Sequence, residues 1–263
     1  MEHPLLYFRT GSSLLGDIIA ASENTTYMFE PLHMMRKHVT TSTQIAHVTD
    51  TVLNFITNLL KCKDIAVFKK DKFITGKSKQ LENCHGSLNV VIKSIRLSAQ
   101  HVEKLLKILK WQNFKIIHLV RDPRAILSSM LRQPKAWKPY LRSSNGTVVC
   151  EIMSRNYQLF DEMMEQGILN PGNFAEINYD NWMDNIWETI IQLFTFLDVQ
   201  LTTNTVKQIQ VGFQTFQFNV QHLLDVEIKQ MFFRIISMKM LQRRDICQPI
   251  REVTMIKIVG RHA

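Results

Sequence analysis

The sequence predicts an α/β fold, a P-loop-like central parallel sheet flanked by helices. Three observations carry that expectation. Strand-like and helix-like segments alternate along the chain, the signature of a sheet wound on both sides. An apolar run at residues 5–8 enters a turn of Arg9, Thr10, Gly11, Ser12 and Ser13, and a helical apolar pattern resumes at once. The 263 residues are 45% apolar, enough to bury one large core.

The elements follow in order. Residues 5–8 read as a buried strand, and Leu14, Leu15, Ile18 and Ile19 share one face of the helix after it. Residues 40–60 read as a helix, with Val48, Val52, Phe55, Ile56 and Leu59 on its apolar side. The lysine-rich stretch at about 61–88 has no clear period and reads as an inserted loop region. Strands are expected at 90–93, 115–120 and 174–179, and helices at 101–109, 149–165 and 183–197. Residues 133–147 are proline-rich and polar, as a surface loop is. The tail from 222 to 258 reads as mostly helical. No repeat or composition shift divides the chain, so residues 1–263 are expected to form a single domain.

The net charge is +9, with lysines clustered at 61, 63, 69, 70, 72, 77 and 79. Such a cluster is either a solvated, mobile face or an attractor of polyanions and anionic donors. No nucleic-acid motif accompanies it, so nucleic acid is not an expected partner. No window of about 18 residues is apolar and uncharged, and no signal-peptide core opens the chain. The first strand begins almost at Met1, so an upstream segment is expected to be missing or trimmed. Cys62, Cys84, Cys150 and Cys247 include no C-x-x-C pair that would point to zinc. With the sequons at Asn24 and Asn145, they lean towards an oxidising, luminal compartment.

Two loops have the chemistry of anion sites. Gly11 permits a tight strand-to-helix turn, after which the amides of Ser12, Ser13 and Leu14 open a helix towards an anion. The hydroxyls of Thr10, Ser12 and Ser13 add donors, and Arg9 adds a permanent forked charge. A glycine turn capped by serine is the plainer reading. Gly11 and Gly16 have the spacing of a Walker loop, but Asp17 stands where that loop has lysine, and Ile18 cannot ligate Mg²⁺. A triphosphate is therefore disfavoured, and a ligand needing no metal fits better.

The second loop is "HLVRDPRAILSSM", residues 118–130. Arg121 ends a strand, where open α/β sheets bind ligands. Asp122 is a cap candidate, and Pro123 starts a helix that carries Ser129 two turns onward. Arg121 and Ser129 are thus candidates to hold one phosphate, while Arg124 serves equally well as an ion-pair partner. A third feature is Glu30, between Phe29 and Pro31. It is either a solvated residue or a general base whose pKa apolar neighbours raise above ~4.3.

These segments, in this order, resemble the Golgi carbohydrate sulfotransferases, specifically the galactose/N-acetylglucosamine/N-acetylgalactosamine 6-O-sulfotransferases. "FRTGSSLLGDI" is similar to that family's 5′-phosphosulfate loop, "MFEPLH" to its FEP segment and "VRDPRAILSS" to its 3′-phosphate motif. "VIKSIRL", Cys150 in "VVCEIMSRN", "NYD" with "FTFLDV", and "ICQPIREVTMIKIVG" echo weaker landmarks. The resemblance implies the 3′-phosphoadenosine 5′-phosphosulfate (PAPS) sulfotransferase fold. It implies PAPS as co-substrate without a metal, and sulfuryl transfer to a glycan or glycosaminoglycan hydroxyl, with 6-O the expected position. Arg9 would steady the leaving group, and Thr10, Gly11, Ser12, Ser13 and Leu14 would surround the 5′-phosphosulfate. Arg121 and Ser129 would hold the 3′-phosphate, and Glu30 would be the base. Lys93 and Arg96 are read either as contacts to donor or acidic acceptor, or as structural.

The resemblance also implies the Golgi lumen and a type II membrane anchor, which would belong to a segment upstream of Met1. Cys62–Cys84 and Cys150–Cys247 are the preferred disulfides, although spacing alone leaves all three connectivities open. Two departures favour an alternative, a catalytically weak glycan- or heparin-binding relative with an impaired donor site. Residues 212–222, where the family places a donor-enclosing loop, contain no Lys or Arg, and "NYDNW" replaces the usual Tyr-Glu-Asp.

Overall fold

The computed structural model describes residues 11–33, 45–109, 114–131, 147–213 and 256–261. The expected strand at 5–8, Arg9, Thr10, Asn145 and Cys247 lie outside the described residues. So do most of the loops at 33–40 and 133–147, and the tail from 214 to 250.

A five-stranded sheet organises the chain in the order β1-β2-β5-β3-β4. Its strands are β1 (Thr25–Phe29), β2 (Asn89–Ser94), β3 (Lys115–Val120), β4 (Phe174–Asn178) and β5 (Ile256–Arg261). β1 pairs with β2, and β3 with β4, in parallel, whereas β5 lies antiparallel between β2 and β3. β1 to β4 therefore all point the same way, and their C-terminal ends share one edge of the sheet. Both β1 and β2 are buried throughout, which is why they read as continuous apolar or β-branched runs rather than alternating ones.

The helices are α1 (Ser12–Ile19), α2 (Ile45–Leu60), α3 (Ile65–Phe68), α4 (Lys72–Thr75), α5 (Ala99–Leu109), α6 (Pro123–Leu131), α7 (Thr147–Glu165), α8 (Tyr179–Asp184) and α9 (Ile186–Phe196). Leu15, Ile18 and Ile19 of α1 pack into the core with Val52, Ile56 and Leu59 of α2, and with Val102 and Leu105 of α5. The mixed α/β architecture is the expected one, with three differences in detail. β1, rich in β-branched and aromatic residues, is a strand that periodicity did not reveal. Residues 256–258 belong to an antiparallel strand rather than to a helix; strand direction depends on the path of the preceding connection, which local sequence does not encode. The helix expected at 183–197 is two, divided at Asn185, whose φ of −133° and ψ of 57° are not helical.

The lysine-rich region is folded and fastened. It holds α3, α4 and a 3₁₀ helix at Leu81–Gly86, and a disulfide joins Cys62 to Cys84 across it. Helices of one turn cannot display an amphipathic period, so the pattern there was unreadable. Asp71 caps α4, accepting from the amides of Phe73 and Ile74. The segment after α4 runs against the outer edge of β1, with Tyr27 and Lys79 exchanging both backbone hydrogen bonds at 3.0 and 2.9 Å. The Ser78 hydroxyl also accepts from the Phe29 amide at 3.0 Å. An edge strand that would otherwise be open is thereby covered. Cys150 is disulfide-bonded as well.

Candidate active site

The C-terminal edge of the four parallel strands gathers most of the described candidates: Glu30 follows β1, Arg96 follows β2, Arg121 follows β3 and Tyr179 follows β4. Gly11 and α1 approach the same edge.

Gly11 caps α1 with φ +82°, the left-handed conformation that glycine adopts without cost. The amides of Ser12, Ser13 and Leu14 precede the first intrahelical donor, Leu15, which bonds the Gly11 carbonyl at 3.2 Å. Ser12 is buried and Ser13 exposed. Gly11 has a second reason to be glycine. A Cβ there would lie 2.0 Å from Cε2 of Tyr179, so the tyrosine ring rests directly on the turn. Gly16 meets a similar demand, since its Cβ would lie 2.1 Å from the Tyr27 hydroxyl. The Walker-like spacing of the two glycines thus has a packing explanation at both positions. Burial pushes the Tyr27 phenol well above its ordinary pKa, and the Asp17 and Glu30 carboxylates push the same way.

The Tyr179 ring also meets the second candidate anion motif. The Arg121 guanidinium sits 4.5 Å from the ring centroid, within cation–π range. Asp180 stands near it, at 3.9 Å from Nε, and accepts from the Asp122 amide at 3.1 Å. Asn178 in turn caps α8 by accepting from the Asp180 and Asn181 amides. Burial raises the Tyr179 phenol, against the pull of Arg121, so it is a neutral donor at physiological pH. Asp122 caps α6 as expected, accepting from the Arg124 amide at 2.7 Å. The Arg124 side chain forks onto the same carboxylate with Nε contacts of 3.0 and 2.9 Å, an exposed local ion pair. Ser129 lies on α6, partly buried.

Glu30 stands in a different environment from the apolar one its neighbours implied. Its carboxylate is buried and both oxygens are engaged: Lys93 Nζ donates to Oε1, and Arg96 Nη1 to Oε2 at 2.5 Å. The Ile95 amide approaches Oε2 at 3.4 Å. The β1–β2 ladder sets up this pairing, because the Glu30 amide bonds the Lys93 carbonyl at 2.8 Å one step beyond the Phe29–Lys93 register pair. Glu30 has φ +48°, an uncommon value for a non-glycine residue and a strained one before proline. Burial lowers the pKa of Lys93, while the Glu30 carboxylate pulls it back up.

Reading the sequence missed two features. Tyr179 was noted only as part of a weak landmark, though its place directly after a strand on the ligand-binding edge was a usable signal. The pairing of Glu30 with Lys93 and Arg96 was also missed. A charge in each of two apolar segments was the available clue, because buried charges need partners.

The Sulfotransferase family, as a sequence profile, matches residues 7–203. Carbohydrate sulfotransferase 1 from Rattus norvegicus, Homo sapiens and Mus musculus is in each case 27% identical over 146 residues, covering 49% of this chain and 34% of the relative. The match thus spans about a third of the length of these curated relatives. No solved structure matches the chain significantly. With its fold, its glycine turn and three-quarters of its length matching, the chain belongs to the sulfotransferase family.

Proposed function

We propose that this chain transfers a sulfuryl group from PAPS to a sugar hydroxyl of a glycan or glycosaminoglycan, at a 6-O position, in the Golgi lumen. One observation carries the reading: the Tyr179 ring touches the Gly11 turn and also lies beneath the Arg121 guanidinium, joining the two candidate anion-binding motifs at one sheet edge. A donor with phosphates at both its 5′ and 3′ ends needs such a two-part site. Arg9, Thr10, Gly11, Ser12, Ser13 and Leu14 hold the 5′-phosphosulfate, Arg9 steadying the leaving group, and Arg121 with Ser129 holds the 3′-phosphate. The sulfuryl group carries less charge than a phosphoryl group, so oriented amides and fixed cations suffice without a metal. The carbohydrate acceptor is supported by the likeness to carbohydrate sulfotransferase 1. A luminal setting is supported by the Cys62–Cys84 disulfide and by the exposed sequon residue Asn24.

Glu30 is the proposed base for the acceptor hydroxyl. The engagement of both its oxygens favours a second reading, in which Glu30 aligns Lys93 and Arg96 towards the donor. Glu30→Gln separates the two. A base role predicts a loss in kcat of roughly 10²–10⁴-fold with unchanged affinity for 3′-phosphoadenosine 5′-phosphate (PAP). An alignment role predicts that PAP affinity falls as well. The function itself is tested with labelled PAPS and a panel of desulfated glycosaminoglycans and N-acetylglucosamine-terminated glycans, with and without EDTA. Label transfer insensitive to EDTA is expected. PAP binding without transfer to any acceptor would reject the enzyme reading, and glycan binding without PAP binding would point to a donor-impaired, glycan-binding relative.

A further inference from the structure

The lysine-rich module does more than cover the β1 edge. It brings an exposed aromatic ring and an exposed cation close to the buried Glu30–Lys93 pair. Phe73 is 55% exposed, a large apolar surface, and its ring meets Phe29 edge-on at 6.2 Å and His33 at 5.6 Å. Lys77 is exposed, and its ammonium lies over both rings, 4.4 Å from the Phe73 centroid and 4.9 Å from that of Phe29. Among the described residues Lys77 makes no salt bridge, whereas Lys69 in the same module is paired with Glu82, and Asp71 is engaged by His33. The Lys93 ammonium that donates to Glu30 lies 4.4 Å from the Phe29 centroid, so the ring-and-cation pair adjoins the residue proposed to meet the acceptor hydroxyl.

A flat exposed ring offers a stacking face for the C–H side of a pyranose, and an adjacent exposed ammonium selects an anionic substituent. The disulfide and the Tyr27–Lys79 backbone pairing hold this face in place against β1 before any ligand arrives, so little ordering cost attends binding. We propose that Phe73 and Lys77 form an acceptor subsite that stacks one sugar ring and recognises an acidic group, a uronate or a sulfate ester, on the acceptor saccharide. The proposal rests on the glycan-sulfotransferase reading for the identity of that saccharide.

Calorimetry with three hexasaccharides tests it: neutral N-acetyllactosamine repeats, the same repeats sulfated, and unsulfated repeats of glucuronic acid and N-acetylgalactosamine. Wild type is expected to bind at least one charged probe about five- to thirtyfold more tightly than the neutral one, and the preferred probe identifies uronate or sulfate. Lys77→Gln is expected to erase that preference, and Phe73→Ala to weaken all three. Both positions are exposed, so folding should be unaffected. PAP binding measured on the same samples judges the donor reading separately, since its failure in wild type leaves the saccharide results intact. Equal affinity for neutral and charged probes in wild type, or unchanged binding in either variant, overturns the proposal.

Discussion

The two halves of the candidate site are built in opposite ways. The proposed donor half is a short turn and a helix start, Gly11 with α1, joined to Arg121 through one aromatic ring. The proposed acceptor half is a buried charge cluster, Glu30 with Lys93 and Arg96, beside a disulfide-fastened module. The first depends on backbone amides and on one glycine that no side chain can replace. The second depends on partners far apart in sequence, brought together by the β1–β2 ladder. The donor half should therefore fail in function before it fails in stability, and the acceptor half the reverse.

The largest expected effect tests the second half of that contrast. Glu30→Ala leaves Lys93 and Arg96 without their shared carboxylate in a buried site, and should cost about 3–5 kcal/mol in urea unfolding. A loss below about 1 kcal/mol would mean that the two cations find water or another partner, and that the cluster is not what holds β1 to β2. Next, Cys62→Ser with Cys84→Ser should cost about 3 kcal/mol, because the disulfide closes a loop of 22 residues. PAP affinity should be unchanged in that double variant, because the module is fastened against β1. A parallel loss of PAP binding would show the halves to be coupled.

Gly11→Ala is the smaller perturbation in energy but falls on the donor half. Its new Cβ would have to displace Tyr179 while also holding a φ of +82°. We expect kcat/KM to fall by about a hundredfold, the effect of an ångström-scale misplacement, with only a modest change in unfolding midpoint. Adding Tyr179→Ala should recover part of the lost stability by removing the ring atoms at 2.0 and 2.3 Å, though not the backbone strain nor the activity. No recovery would mean that φ alone dictates the glycine.

The same contrast governs how much of the molecule was legible in its sequence. "KIIHLV" was read to the residue, because a β-branched apolar run bounded by polar residues has few alternatives. The glycine turn that opens α1 and the Asp122 cap after β3 were also legible, since both use local chemistry: a glycine, a short polar side chain and a strand end. That the Tyr179 ring joins them was not, because the contact spans most of the chain and depends on β3 and β4 being neighbours. Glu30 shows the limit most clearly. Its sequence neighbours Phe29 and Pro31 announced an apolar pocket, but its spatial neighbours are two cations, one in β2 and one just after it. The lysine cluster misled in the other direction. Its charge spoke for a solvated, mobile segment, yet Phe68 and Ile74, buried to 0%, anchor two one-turn helices whose period is too short to read.

The central claim is that Gly11, Tyr179 and Arg121 form one pocket that binds a nucleotide through both its 5′ and its 3′ phosphates. Titration calorimetry of PAP against AMP, which lacks the 3′-phosphate, measures this directly in wild type and in Arg121→Ala. Wild type is expected to bind PAP at least about a hundredfold more tightly than AMP, and Arg121→Ala to remove most of that difference while leaving AMP binding nearly unchanged. Equal affinity for the two nucleotides in wild type, or a preference for PAP that survives the loss of Arg121, would contradict it.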